Sequence, residues 1–291
     1  MADLPLGQGK ILWISNSITD RDGVALTASS AVSGFGIERL QDMRPGHRWR
    51  ALTATDESIK ADAGAGNTFD VDTAAIVGHP GTVDGAVTLD MSDNADMSSP
   101  VLSPAAYELW PPTSGAGDQL GLYMGGYPRL TDFANFTPFR VIRLGAMYTA
   151  RYFRQRVTDP NIAQWEQGRL MAGIGYQMGR HVATGWEIKR VDPSQVKRTY
   201  GGGVIGNRLP GWREMSVSIG PLSYSELLIQ VDDLIRTVGK TRPVLCLMWP
   251  DASLPLLYRT TFYGLLGEDV TITGRWSKHG AVARVTVTEL V

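Results

Sequence analysis

The sequence predicts a mainly β protein. Short apolar runs are separated by frequent turn residues: 33 Gly and 16 Pro, about one residue in six, are spread along the chain and not gathered into one linker. Several of the runs alternate apolar and polar side chains with the period of a strand, most regularly over Ala281–Glu289. A single segment, residues 223–238, carries the period of an amphipathic helix.

Taken in order, residues 10–14 are a short apolar run suited to a buried strand. Residues 15–36 are polar, with Asp22-Gly23 as a turn signal. Residues 69–72 alternate, and 74–77 are compactly apolar until Gly78, His79 and Pro80. Residues 85–91 read as another strand. Residues 91–138 are rich in Pro, Gly, Ser, Asp and aromatics, and a loop this long is usually functional or mobile. Strand character resumes over 140–144 and 152–159, where Phe153, Gln155 and Val157 share one face.

Beyond residue 180 the pattern changes. Residues 1–180 hold 15 basic and 19 acidic side chains, residues 181–291 hold 13 and 10, so the halves differ in sign at −4 and +3. We therefore expect two domains, 1–180 with the insertion 91–138, and 181–291. Within the second, Ser223 and Glu226 form a capping box and Leu222 and Leu227 a hydrophobic staple. Leu227, Val231, Leu234, Ile235 and Val238 make the apolar stripe, and Gly239 sits at the C-terminal cap. Strands are expected over 214–219, 244–249, 258–266 and Ala281–Glu289.

Composition bounds the function. With 43% hydrophobic and 20% charged residues the chain is globular. A net charge of −1 removes the broad attraction that drives most nucleic-acid binding, so no direct nucleic-acid partner is expected. The lone Cys246 excludes an internal disulfide, and within Val-Leu-Cys-Leu-Met it reads as a small core hydrophobe. No apolar run spans a membrane, and residues 1–9 do not read as a secretory signal, so a soluble protein of a reducing compartment is expected.

No catalytic constellation is found. The histidines His47, His79, His181 and His279 have no partner at metal-ligand spacing, and no metal or cofactor site is expected. There is no GxSxG, no Walker loop and no GxGxxG after a strand. Asp90, Asp93 and Asp96 are spaced by three with no closing Glu, which is not a calcium loop. The chemistry that stands out is aromatic. Tyr107, Trp110, Tyr123 and Tyr127 lie in a stretch too polar for core, where they could fold back over the sandwich or contact a protein or a sugar.

Taken together, residues 40–45, Trp49-Arg50, 69–72 and Ala74-Ala75-Ile76-Val77-Gly78-His79 resemble the opening of a discoidin-type, galactose-binding-like jelly roll. Such domains occur in tail proteins of long-tailed bacteriophages. Residues 152–159 (YFRQRVTD) and 168–173 (GRLMAG) are similar to the strand and exit that close the domain. Residues 191–199, 212–219, 242–251 and 258–266 continue a likeness to the ring-forming domain shared by tail-tube and distal tail proteins. The insertion 91–138 departs from the pattern.

The resemblance implies fold support from Trp49, Arg50, Arg154 and Asp159, with each arginine forked onto a carboxylate such as Asp72 or Asp159. It implies a non-enzymatic tail-tip or baseplate protein in the virion, assembled in the host bacterial cytoplasm. The implied partners are itself, as a ring with six-fold favoured over three-fold symmetry, and tail tube, hub and fibre proteins. An open strand such as Ala281–Glu289 would suit sheet joining between subunits. The alternative is a carbohydrate-binding module that recognises a bacterial surface glycan through the aromatic loop.

Overall fold

In the computed structural model the described residues are 11–15, 17–110, 138–177, 186–198, 200, 202–207, 209–222, 231–250, 257, 259–267, 271–274 and 281–290. In chain order they form β1 (Leu12–Ile14), β2 (Ala25–Ala28), β3 (Trp49–Arg50), β4 (Glu57–Asp62), β5 (Phe69–Val77), β6 (Ala86–Ser92), β7 (Leu102–Glu108), β8 (Phe139–Ala150), β9 (Tyr152–Thr158) and β10 (Glu166–Gln167). Then come β11 (Arg169–Gly173), β12 (Gly175–Gln177), β13 (Glu187–Val191), β14 (Gln195–Arg198), β15 (Val204–Asn207), β16 (Trp212–Leu222), α1 (Asp232–Val238), β17 (Pro243–Leu247), β18 (Thr261–Leu266), β19 (Thr271–Gly274) and β20 (Ala281–Glu289). The protein is mainly β, as its punctuated apolar runs predict.

The first half is a sandwich. A five-stranded antiparallel sheet, β2-β4-β9-β6-β7, belongs to one core with the three-stranded sheet β11-β5-β8. The two runs expected at 69–72 and 74–77 are one strand, β5, whose pairing with β8 slips between Val71 and Thr73. Three residues more on β8 than on β5 are taken up there, which is the device of a bulge. In β9 the alternation holds: Phe153, Gln155 and Val157 are buried, while Arg154 and Arg156 reach toward solvent. Part of the expected loop 91–138 is a strand, β7, on the outer edge beside β6; residues 111–137 lie outside the described residues.

The second half is one large sheet in the order β12-β1-β17-β18-β20-β16-β13, with β19 also paired to β20. Two of its strands come from the first half of the sequence. β1 lies between β12 and β17, pairing Leu12 with Gln177 on one side and with Leu247 on the other. Hydrogen bonding therefore does not follow a division at residue 180. The reason is visible in β1 and β17, which are apolar on both faces. Leu12, Ile14, Leu245 and Leu247 join the sandwich core, while Trp13, Val244 and Cys246 face a second core that includes Leu234 and Val238 of α1. Burying both faces requires cover on both sides.

β20 is not an open edge. Ser216–Thr286 and neighbouring pairs join it to β16, and β18 and β19 cover its other side. Its alternation instead reflects a central strand with one drier face, where Ala283, Val285 and Val287 are buried.

The described helix, α1, begins at Asp232; the capping box and the staple partner Leu227 lie outside the described residues. Its end is as expected. Gly239 has φ 56° and ψ −148°, and its N–H donates to the Ile235 carbonyl at 2.7 Å. That conformation is essentially restricted to glycine, so Gly239→Ala should lower stability by about 1–3 kcal/mol in urea unfolding. No loss would mean that the chain turns here without the positive φ. No helix among the described residues is long and apolar enough to cross a membrane.

Candidate functional site

The residues expected to support the fold, Trp49, Arg50, Arg154 and Asp159, have partners that differ from those expected. Trp49 on β3 is fully buried and its indole N–H donates to the Ser30 carbonyl at 3.1 Å. Arg50 pairs with Glu166 at 2.5 Å and lies over the Phe35 ring at 4.3 Å, not with Asp72 or Asp159. Arg154 faces Asp90 across β9 and β6, donating from Nε to Oδ1 at 3.0 Å and from Nη2 to Oδ2 at 2.5 Å. The Asp90 carboxylate beside it raises the Arg154 pKa above its ordinary value.

The two carboxylates proposed as arginine partners serve loops. Asp159 accepts from the Thr82 N–H at 2.6 Å, the Thr82 hydroxyl at 2.8 Å and the Asn161 N–H at 3.0 Å. Asp72 accepts from the Thr73 hydroxyl and, at 2.6 Å, from the Gly175 N–H, so it joins the sandwich to β12. Strand period reveals a residue's face but not its cross-strand neighbour, which is why the partners were misassigned.

The aromatic stretch is also corrected. Trp110 is buried, with its indole N–H donating to the Gly81 carbonyl at 2.6 Å. Its ring centroid lies 5.3 Å from His79, which stacks on Trp165 at 5.7 Å and 13°. This cluster plugs the sandwich, so Trp110 presents no face to a ligand. Tyr107 on β7 is half-buried, and Tyr123 and Tyr127 lie outside the described residues. Neither ring nitrogen of His79 has a hydrogen-bond partner among the described residues, and burial, ahead of the nearby Arg140 and Arg48, lowers its pKa to about 3.

The other candidates for chemistry are occupied. Asp90 holds Arg154, Asp93 accepts from the Arg151 N–H, and Asp96 caps the turn at Ser98. Among the described residues no three His, Cys, Asp or Glu converge as a metal site. Burial pushes the Cys246 thiol pKa up, as a core cysteine requires.

What the sequence reading did not single out is the outer end of the large sheet. β13 pairs with β16 alone, leaving its other side open among the described residues. The chain then leaves the sheet as the ribbon β14–β15, a two-stranded sheet of its own, and returns into β16. A cleft of about 320 Å³ at the base of the ribbon is lined by Arg190, Asp192, Leu209, Trp212, Arg213 and Glu289. Arg213 is held there by Glu289 at 2.5 Å and lies over Phe262 at 4.6 Å. The exposed large aromatics of the described residues, Trp186 and Tyr200, flank β13 and the ribbon, not the sandwich. Trp186, 49% exposed, meets Trp249 edge-on at 5.5 Å. The signal available in sequence was the acid-free stretch 193–211, interrupted by Gly201, Gly202 and Gly203.

No protein-family model matches the chain, and no curated protein does. Solved structures similar to it include carbohydrate-binding modules, a lectin domain and a fucosidase. CpGH89CBM32-6 of Clostridium perfringens is 12% identical, with 56% of this chain and all of that chain covered and a TM-score of 0.36. The family 32 module of NanJ from the same organism, solved with galactose, is 9% identical over 55% and 98%, with a TM-score of 0.34. The lectin domain of lectinolysin, solved with Lewis B antigen, is 12% identical over 55% and 96%, with a TM-score of 0.36. The fold class rests on the chain's own sheets, a mainly β chain whose first half is a β-sandwich. At these scores the likeness bears no weight on function.

Proposed function

We propose that this chain is a non-catalytic structural protein of a bacteriophage tail tip, which works by assembly with copies of itself and with tail tube, hub and fibre proteins. The observation that carries the reading is the large sheet, whose end strands β12 and β13 each pair on one side only among the described residues. Every step from β12 to β13 is antiparallel, and there are six, so the two end strands run in the same direction. Joining β13 of one copy to β12 of the next about an axis along the strands would therefore be a parallel pairing. A head-to-tail contact of that kind gives a ring when its rotation closes, and open edges otherwise invite unwanted pairing. Six-fold closure remains favoured over three-fold, with the particle assembled in the host cytoplasm and residing in the virion.

Light scattering of the purified protein followed by negative-stain imaging tests this. Closed rings, or monomers that close only with other tail proteins, are expected. A monomer that joins no tail complex would overturn the reading.

The second reading is a carbohydrate-binding module. It is favoured by Tyr107, half-exposed on the edge strand β7 just before the aromatic stretch 111–137. A monomer that binds host surface glycans and loses them in Tyr107→Ala would put this reading first. The buried Trp110 is unsuited to that test, because its removal would damage the core.

A further inference from the structure

We infer that the β14–β15 ribbon is a basic docking arm, and that what it takes is the acidic sandwich half of a second copy of this chain. The inference rests on the assembly reading above and names a contact that the sheet edges do not supply.

The ribbon is built to be covered. All four residues of β14 are exposed, Gln195 and Lys197 on one face and Val196 and Arg198 on the other, so neither face of this strand is covered among the described residues. Val196 is 68% exposed, Leu209 38%, and Tyr200 at the tip is fully exposed. A two-stranded ribbon by itself is marginal in water, and exposed apolar residues gathered on one projection mark an interaction surface. Its base is fixed, because Ser194 accepts from the Leu209 N–H at 3.0 Å beside the β13–β16 ladder. The arm is thus aimed from the base while the side chains of β14 stay exposed.

Charge selects the occupant. Between Pro193 and Gly211 the sequence carries Lys197, Arg198 and Arg208 and no acidic residue. Lys197 and Arg198 make no ion pair among the described residues. The first half of the chain has the opposite sign, with 19 acidic against 15 basic side chains. Its exposed Asp84, Asp93, Asp96 and Glu108 are likewise without an ion pair among the described residues. An arm of one sign on a half of the other gives a head-to-tail contact between copies, each copy offering one arm and one acceptor.

The test compares wild type with Lys197→Glu/Arg198→Glu by sedimentation velocity, with Val196→Ser/Tyr200→Ser as a second variant and circular dichroism as the folding control. Wild-type association should weaken about tenfold or more between about 50 mM and about 500 mM salt. Each variant should self-associate about tenfold or more weakly than wild type yet still accept a wild-type arm, since its sandwich remains intact. Variants that associate like wild type, or association indifferent to salt, overturn the arm and leave the sheet-edge assembly standing. Wild type that never associates, alone or with tail proteins, overturns both.

Discussion

Replacing Arg169 by alanine is expected to lower the unfolding free energy by about 3–5 kcal/mol, the largest effect of any single substitution considered. Its side chain is fully buried at the junction of the two sheets. Nη1 donates to the Leu40 carbonyl at 2.7 Å and the Asp42 carbonyl at 3.2 Å, and Nη2 donates to the Asp20 carboxylate. Burial lowers the Arg169 pKa, and the guanidinium remains charged because these acceptors surround it. Tyr263 of β18 reaches the same junction, donating its hydroxyl to the Met43 carbonyl at 2.8 Å, with its pKa pushed up to about 12 by burial. Removing the guanidinium strands a carboxylate and two carbonyls beside a void. Arg169→Met, which refills the volume, should recover part of the loss without restoring the polar contacts. Urea unfolding of both variants measures this. A loss under about 1 kcal/mol for the alanine variant would mean that water satisfies the junction unaided.

Acid should destabilise the protein through His79. Its folded pKa is about 3 against 6.5 for the free side chain, so between those values the unfolded chain takes up a proton that the folded chain refuses. Stability from this group is complete above pH 6.5 and falls as pH drops toward 3, at about 1.4 kcal/mol per pH unit. Between pH 7 and pH 5 the expected loss is about 2 kcal/mol. Arg140 and Arg48 act with burial, and Asp159 opposes them. His79→Phe keeps a ring on Trp165 and removes the titration, so its stability should change less than that of wild type over this interval. Equal pH dependence in the two proteins would assign the acid sensitivity to other groups.

Much of the fold was legible because many strands have one dry face. β9 and β20 announce theirs by strict alternation, and β17 announces two by being apolar throughout. β4 was missed: of its six residues only Ile59 and Ala61 are hydrophobic, and buried Glu57 looks like a surface residue. Its carboxylate is satisfied by the hydroxyls of Ser29, Ser30 and Thr53, none of them near enough in pattern to suggest a cluster. β7 was missed because Ser103, Pro104, Ala105 and Ala106 are exposed on an edge, where no burial constrains them. The candidate site was less legible still. A strand exposed along its whole length, as β14 is, leaves no hydrophobic period, and the acid-free composition around it is informative only once that exposure is seen.

By itself the sequence determined the β class, the alternating faces of the central strands and the stop of the helix at Gly239. Those depend on local period and on backbone freedom at one residue. Tertiary structure alone decided that β1 enters the far sheet, that Arg50 meets Glu166 and Arg154 meets Asp90, and that Trp110 turns inward. Each of these is a pairing between distant segments. Register and docking are set by the sum of many burial and hydrogen-bond terms across strands, and no single segment carries them in its own pattern.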